Sequence, residues 1–107
     1  MTRTLAFLIA AALPFASYAG DAAKGKEIAS KVCVACHGAD GTKPSAPDQP
    51  VLAGQYPDYL AKALSDYKSG KRENPIMKGF ASQLSAQDME DLAAWFSSQK
   101  GPLHNQR

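Results

Sequence analysis

Three residues in the first third of the chain have the types and spacing for cofactor chemistry. Cys33 and Cys36 lie three positions apart, and His37 follows directly, in Cys33-Val34-Ala35-Cys36-His37. The pattern C-x-x-C-H reads as a site where haem is attached covalently. Two thiols at that spacing on a helix end can reach the two vinyl groups on one edge of a porphyrin, forming a thioether with each. The adjacent imidazole then sits under the iron and gives it a nitrogen. Other uses of the pattern fit less well. Structural zinc wants four ligands, usually as two separated pairs, whereas the chain has two Cys and one other His, His104, in its tail. A thioredoxin-like thiol pair needs a βαβ setting, and no segment has the alternation and β-branched content of a strand. A disulfide between residues three apart closes a very small loop and gains little in chain entropy.

The sixth position of the iron separates an electron carrier from a haem that binds gases or reacts with oxygen. His with Met suits electron transfer, and an open position suits ligand binding. Met77, Met89 and His104 are the candidates. Met89 has a sufficient role as a core residue of the last helix, and His104 lies beyond that helix. Met77 follows Asn74-Pro75-Ile76 on what reads as a loop, where no apolar stripe accounts for it. A loop Met can swing its sulfur onto a metal, so Met77 is expected to be the second axial ligand, opposite His37.

The elements that must position these residues read as helical. Asp21 can cap a first helix running to about Val32, with Ala22, Gly25, Ile28, Ala29 and Val32 at helical spacing. Residues 38–55 are punctuated by Gly and Pro and read as loop. Pro57 suits the first turn of another helix, with Leu60, Ala63, Leu64 and Tyr67 on one face and Gly70 as its stop. Residues 71–83 read as irregular. Ser85 and Asp88 form a capping-box-like pair for the last helix, flanked by Leu84 and Met89 as a hydrophobic staple. Its buried stripe is Met89, Leu92, Ala93 and Phe96, with Trp95 beside it, and Gly101-Pro102 is the expected stop.

Residues 1–19 read as a cleaved export signal. Arg3 is followed by the apolar run Leu5–Leu13, then Pro14, then Ser17-Tyr18-Ala19 with small residues where a signal peptidase reads. The apolar run is too short to span a membrane, which takes about 20 residues, so no stable membrane insertion is expected. The expected location is the periplasm, with residues 20–107 as one domain. That domain carries 11 basic and 10 acidic residues. A near-neutral balance argues against nucleic acid, whose binding rests on dense positive charge. The domain is also small and rich in Ala, so a haem would supply an apolar body that its own side chains lack.

With these residues placed, the chain resembles a class I cytochrome c, and in particular the small bacterial members similar to one half of the two-haem periplasmic cytochromes. The resemblance covers the whole of residues 20–107. It is carried by Gly20-Asp21…Gly25…Cys33-x-x-Cys36-His37-Gly38, by Gln49-Pro50-Val51-Leu52-Ala53-Gly54-Gln55, by Asn74-Pro75-Ile76-Met77 and by Leu92-Ala93-Ala94-Trp95-Phe96. It implies an all-α domain of about four short helices around one covalently attached haem c. Cys33 and Cys36 would hold the haem, with His37 and Met77 as axial ligands. Pro50 would offer its carbonyl to the far nitrogen of His37, with Pro47 as the nearby rival, and Gly25 would let the first helix cross the last against Leu92 and Trp95. The chain departs from the family at Ala29, where a larger side chain is common. It has a single C-x-x-C-H, so the two-haem arrangement does not carry over.

The function expected is electron transport without bond chemistry. Iron would cycle between Fe(II) and Fe(III), and the partners would be redox proteins met in transient complexes by a monomer. No residue reads as a general base or activated nucleophile, and Asp40, Asp48, Asp58, Asp66 and Glu73 read as solvated charges, so no enzyme activity is expected. The rival readings are a gas-binding sensor or enzyme subunit with an open iron, and a thiol-disulfide oxidoreductase using Cys33 and Cys36.

Overall fold

The computed structural model describes residues 20–103; residues 1–19, expected to be an export signal, and the tail at 104–107, His104 included, lie outside the described residues. Among the described residues, five helices and no strands are found. They are α1 (Ala22–Val32), α2 (Val34–His37), α3 (Pro57–Ser69), α4 (Pro75–Ala81) and α5 (Ala86–Ser97). The expected all-α class is the observed one, with the single-turn α2 and the short α4 added to the three longer helices.

The helix ends follow local chemistry. The Asp21 carboxylate accepts hydrogen bonds from the Ala23 and Lys24 amides and starts α1. Pro57 opens α3, and Gly70 closes it in the left-handed conformation at φ 86°, which costs a side-chain-bearing residue strain. At α5 the capping box is complete: Ser85 Oγ accepts from the Asp88 amide, and the Asp88 carboxylate accepts from the Ser85 amide. Such a cap is worth about 1 kcal/mol. Leu84 and Met89, on either side of it, are both buried in the core.

Two boundaries differ from the sequence reading. Residues 75–81 are helix, not loop. Asn74 Oδ1 accepts from the Ile76 and Met77 amides at 3.1 Å each, and Pro75 occupies the first helical position, where its missing N–H costs nothing. At the other end α5 stops at Ser97, ahead of Gly101-Pro102, because the Ser98 amide and the Gln99 side chain both bond the Trp95 carbonyl. Gly101 packs instead on Ala53, whose Cβ would stand 2.9 Å from any Cβ at that position.

The core is a seam where α1 and α3 both pack on α5. Ala29, Leu60, Leu84, Met89, Leu92, Ala93 and Phe96 form it. Full burial of Leu92 or Phe96 stabilises the fold by roughly 1.5–3 kcal/mol each. The α1–α5 crossing depends on Gly25: a Cβ there would lie 1.9 Å from the Asp91 carbonyl oxygen and 2.9 Å from Trp95 Cβ. The expected crossing is thus present, with the Asp91 backbone rather than Leu92 as the closest neighbour. Ala29 is fully buried in the same contact, and its small side chain suits that close approach.

Candidate functional site

The site grows from the end of α1. Cys33 caps that helix and starts α2, so Cys33, Cys36 and His37 fall on a single tight turn. Gly38, at φ 84°, then turns the chain away. His37 is 5% exposed, and its Nδ1 lies 2.9 Å from the carbonyl oxygen of Pro50. A carbonyl can only accept, so Nδ1 carries the proton, and Nε2 is left with a lone pair for a metal. Pro50, rather than Pro47, is the residue that makes this bond.

Cys33, Cys36, His37, Pro50 and Met77 all line one cavity of about 540 Å³. That volume falls within the range of roughly 300–1,000 Å³ usual for cofactor-sized ligands. The cavity is walled by Leu60, Ala63 and Leu64 of α3, Ile76 and Phe80 of α4, and Leu92 and Phe96 of α5. The face of α3 that periodicity marks as apolar therefore turns mainly to this space, with Leu60 alone fully buried on it. Met77 is half-buried on the wall as the third residue of a capped helix. Met77 therefore stands on a helix, not on a flexible loop, and its amide is held by Asn74.

These features fit a haem. Two thiols stand at one edge, an imidazole offers Nε2, a thioether lies on the wall contributed by α4, and an apolar space of the right order separates the elements. The Cys33 thiol is unlike the reactive thiol of a redox pair. Burial, and then the neighbouring Cys36, push the Cys33 thiol up to about 11, whereas reactive C-x-x-C thiols are shifted downwards. Among the described residues no cluster of three or more His, Cys, Asp and Glu side chains is placed to hold a bare metal ion.

The cavity wall also carries polar side chains that the sequence reading did not place there, among them Asp48, Tyr59, Arg72 and Glu73. The Arg72 guanidinium lies 4.9 Å from the centre of the Tyr67 ring, and its Nη1 is 3.5 Å from the Tyr59 hydroxyl. A signal was present, since Arg72 is the one arginine between residues 20 and 103 in a chain that otherwise uses lysine. A planar, permanently charged guanidinium suits a carboxylate.

A second depression, of about 400 Å³, shares no residue with the first and is bordered by Lys26, Asp40 and Trp95. Asp40 is held below the usual carboxylate range, first by the Thr42 hydroxyl at 2.6 Å and then by the Thr42 amide at 3.0 Å. Trp95 donates from Nε1 to the Ala39 carbonyl, and Lys26 lies over its ring. These contacts tie the loop after His37 to α5 and α1.

Residues 22–100 match the protein-family model described as "Cytochrome c". Cytochrome c4 of Pseudomonas aeruginosa is 55% identical over 82 residues, covering 77% of this chain and 40% of that protein. Cytochrome c-554(548) of Halomonas halodenitrificans is 42% identical over 85 residues, covering 77% of this chain and 100% of that protein. The crystal structure of reduced recombinant cytochrome c4 from Pseudomonas stutzeri superposes with a TM-score of 0.71 at 48% identity, over 78% of this chain and 47% of that one. The chain thus spans less than half the length of the cytochromes c4 it matches, and all of the shorter relative. No helix among the described residues is long and apolar enough to cross a membrane.

Proposed function

The chain belongs to the cytochrome c family, and from that premise we propose that it carries single electrons in the periplasm on one covalently attached haem c. The observation that carries this reading is that two thiols, an imidazole and a thioether, from α1–α2 and α4, meet on one apolar cavity. A bound haem supplies the one-electron couple Fe(II)/Fe(III). The residues do the rest. Cys33 and Cys36 hold the group through thioether bonds, so it is not lost from a small domain. His37 gives Nε2 to the iron, and the Pro50 carbonyl holds its ring in one tautomer and raises its basicity. Met77 would offer its sulfur as the second ligand, a pairing with His37 that suits electron transfer. Arg72, beside Tyr59, is the cation on the cavity wall that would face the carboxylates of the group.

In this reading the chain is a carrier between other redox proteins, met in transient complexes by a monomer. Residues 1–19 are read as the export signal, and residues 20–107 as the domain that remains.

Mass spectrometry of the protein purified from a host competent in cytochrome c maturation tests the cofactor. The expected mass is that of residues 20–107 plus one haem, with colour retained after acid-acetone extraction. A colourless protein, or haem lost on extraction, would contradict the reading.

A further inference from the structure

One buried charge has no part in the haem site. Asp91, on the face of α5 that meets α1, is 1% exposed. Its Oδ1 accepts from the Asp21 amide at 2.8 Å and from Gln87 Nε2 at 2.9 Å. Its Oδ2 is buried and has no hydrogen-bond partner among the described residues. A buried carboxylate oxygen left unpaired is costly, because the water it has lost is not replaced.

The residue before Asp21 lies against the same stretch of α5. A Cβ on Gly20 would stand 1.9 Å from the Glu90 carbonyl oxygen and 2.5 Å from the Asp91 amide nitrogen. The Gly20 nitrogen is three covalent bonds from the Asp21 nitrogen that already bonds Oδ1, about 3 Å away by standard backbone dimensions. It therefore lies within about 6 Å of Oδ1 of the same carboxylate, a gap that a small movement of the freed terminus can close. While Gly20 is joined to Ala19, that nitrogen is an uncharged amide with one hydrogen. Hydrolysis of the Ala19–Gly20 bond by a signal peptidase consumes one water and leaves a carboxylate on Ala19. On Gly20 it leaves an amine, which takes up a proton.

We propose that removal of residues 1–19 delivers the α-ammonium group of Gly20 to Oδ2 of Asp91, so that processing itself completes the contact between α1 and α5. The ammonium supplies both the opposite charge and the missing donor. Gly is suited to the position because no Cβ fits between the new terminus and α5. The inference rests on cleavage before Gly20, and it makes the uncleaved chain a weaker α1–α5 partner than the processed one.

The test uses the haem-loaded protein isolated from the periplasm. N-terminal sequencing is expected to begin at Gly20; any other first residue overturns the cleavage reading and this inference with it. Brief acetylation with acetic anhydride at neutral pH then reports the amine. An exposed α-amine, with an ordinary pKa near 7.7–8.0 against about 10.4 for lysine, labels ahead of the lysines. Paired with Asp91 it is expected to label roughly tenfold or more slower than in the denatured chain, a factor equal to one unit of pKa. Asp91→Asn is expected to restore fast labelling; if that variant does not fold, the comparison of native with denatured wild type still decides. A protein that begins at Gly20 but labels there as fast as in the denatured chain would leave the processing reading intact and overturn the ion pair, with a buried water as the partner of Oδ2.

Discussion

The carbonyl oxygen of Pro50 lies 2.9 Å from Nδ1 of His37, closing a loop of thirteen residues onto the imidazole. The bond fixes which ring nitrogen faces the cavity, and its acceptor is backbone rather than side chain. Pro50→Ala keeps that carbonyl, so covalent haem per chain is expected within about twofold of wild type. Deleting Gln49 shifts the carbonyl out of register, and the expected loss is roughly 10- to 100-fold in holoprotein, the usual cost of removing the group behind a metal ligand. Equal yields from the two variants would mean that the bond does not position His37.

Asn74 caps α4 through two amides, one of them that of Met77. Asn74→Ala is expected to cost about 1 kcal/mol in denaturant unfolding. It should also loosen the sulfur, so that the reduced protein gains partial carbon monoxide binding. A variant that loses the stability but still excludes carbon monoxide would show that the cap does not hold Met77 in place.

Gly25→Ala puts a methyl group where the Asp91 carbonyl stands. The obstacle is backbone, which cannot rotate away, so α1 must shift on α5. The expected cost is about 3 kcal/mol, the upper end of common overpacking effects, read as a lower unfolding midpoint with unchanged slope. A change below about 1 kcal/mol would mean that the crossing yields more readily than this packing implies.

The Asp40 carboxyl sits below its ordinary range because Thr42 hydrogen-bonds its charged form. Its folded pKa is thus lower than its unfolded one. The stability it contributes is complete above the unfolded value of about 3.9, and it is lost as pH falls through the folded value. Thr42→Val removes the hydroxyl and keeps the amide. The Asp40 carboxyl should then titrate at higher pH by NMR, and the variant should lose this acid-side contribution at a higher pH than wild type. An unmoved titration would assign the shift to other groups.

What could be read in the sequence, and what could not, divides along the range of the interactions. Cys33, Cys36 and His37 are adjacent and carry their chemistry in their types. The capping box of Ser85 and Asp88 and the start of α3 at Pro57 are local signals of the same kind. Helix α4 escaped notice because it has only seven residues, Gly79 among them, and turns its apolar residues Ile76, Met77 and Phe80 to the cavity rather than into the core. Its start, Asn74-Pro75, was nevertheless a capping signal in plain view. The burial of Asp91 depends on partners 70 residues away at Asp21 and on the same helix at Gln87, and nothing in its neighbourhood along the chain marks it. Arg72 stood out by type alone, and only the turn after α3, which folds its amide back onto the Asp66 carbonyl, brings it to Tyr59 and the cavity.

The central claim is a haem held covalently with both axial positions filled by His37 and Met77. Visible absorption of the purified protein, oxidised and reduced, with and without carbon monoxide, tests it most directly. The account predicts a low-spin spectrum in both states that carbon monoxide leaves unchanged, and a Met77→Ala variant that keeps its haem but binds carbon monoxide. A wild-type protein that binds carbon monoxide readily would contradict it, because the iron would then have an open position and the electron-carrier reading would give way to ligand binding.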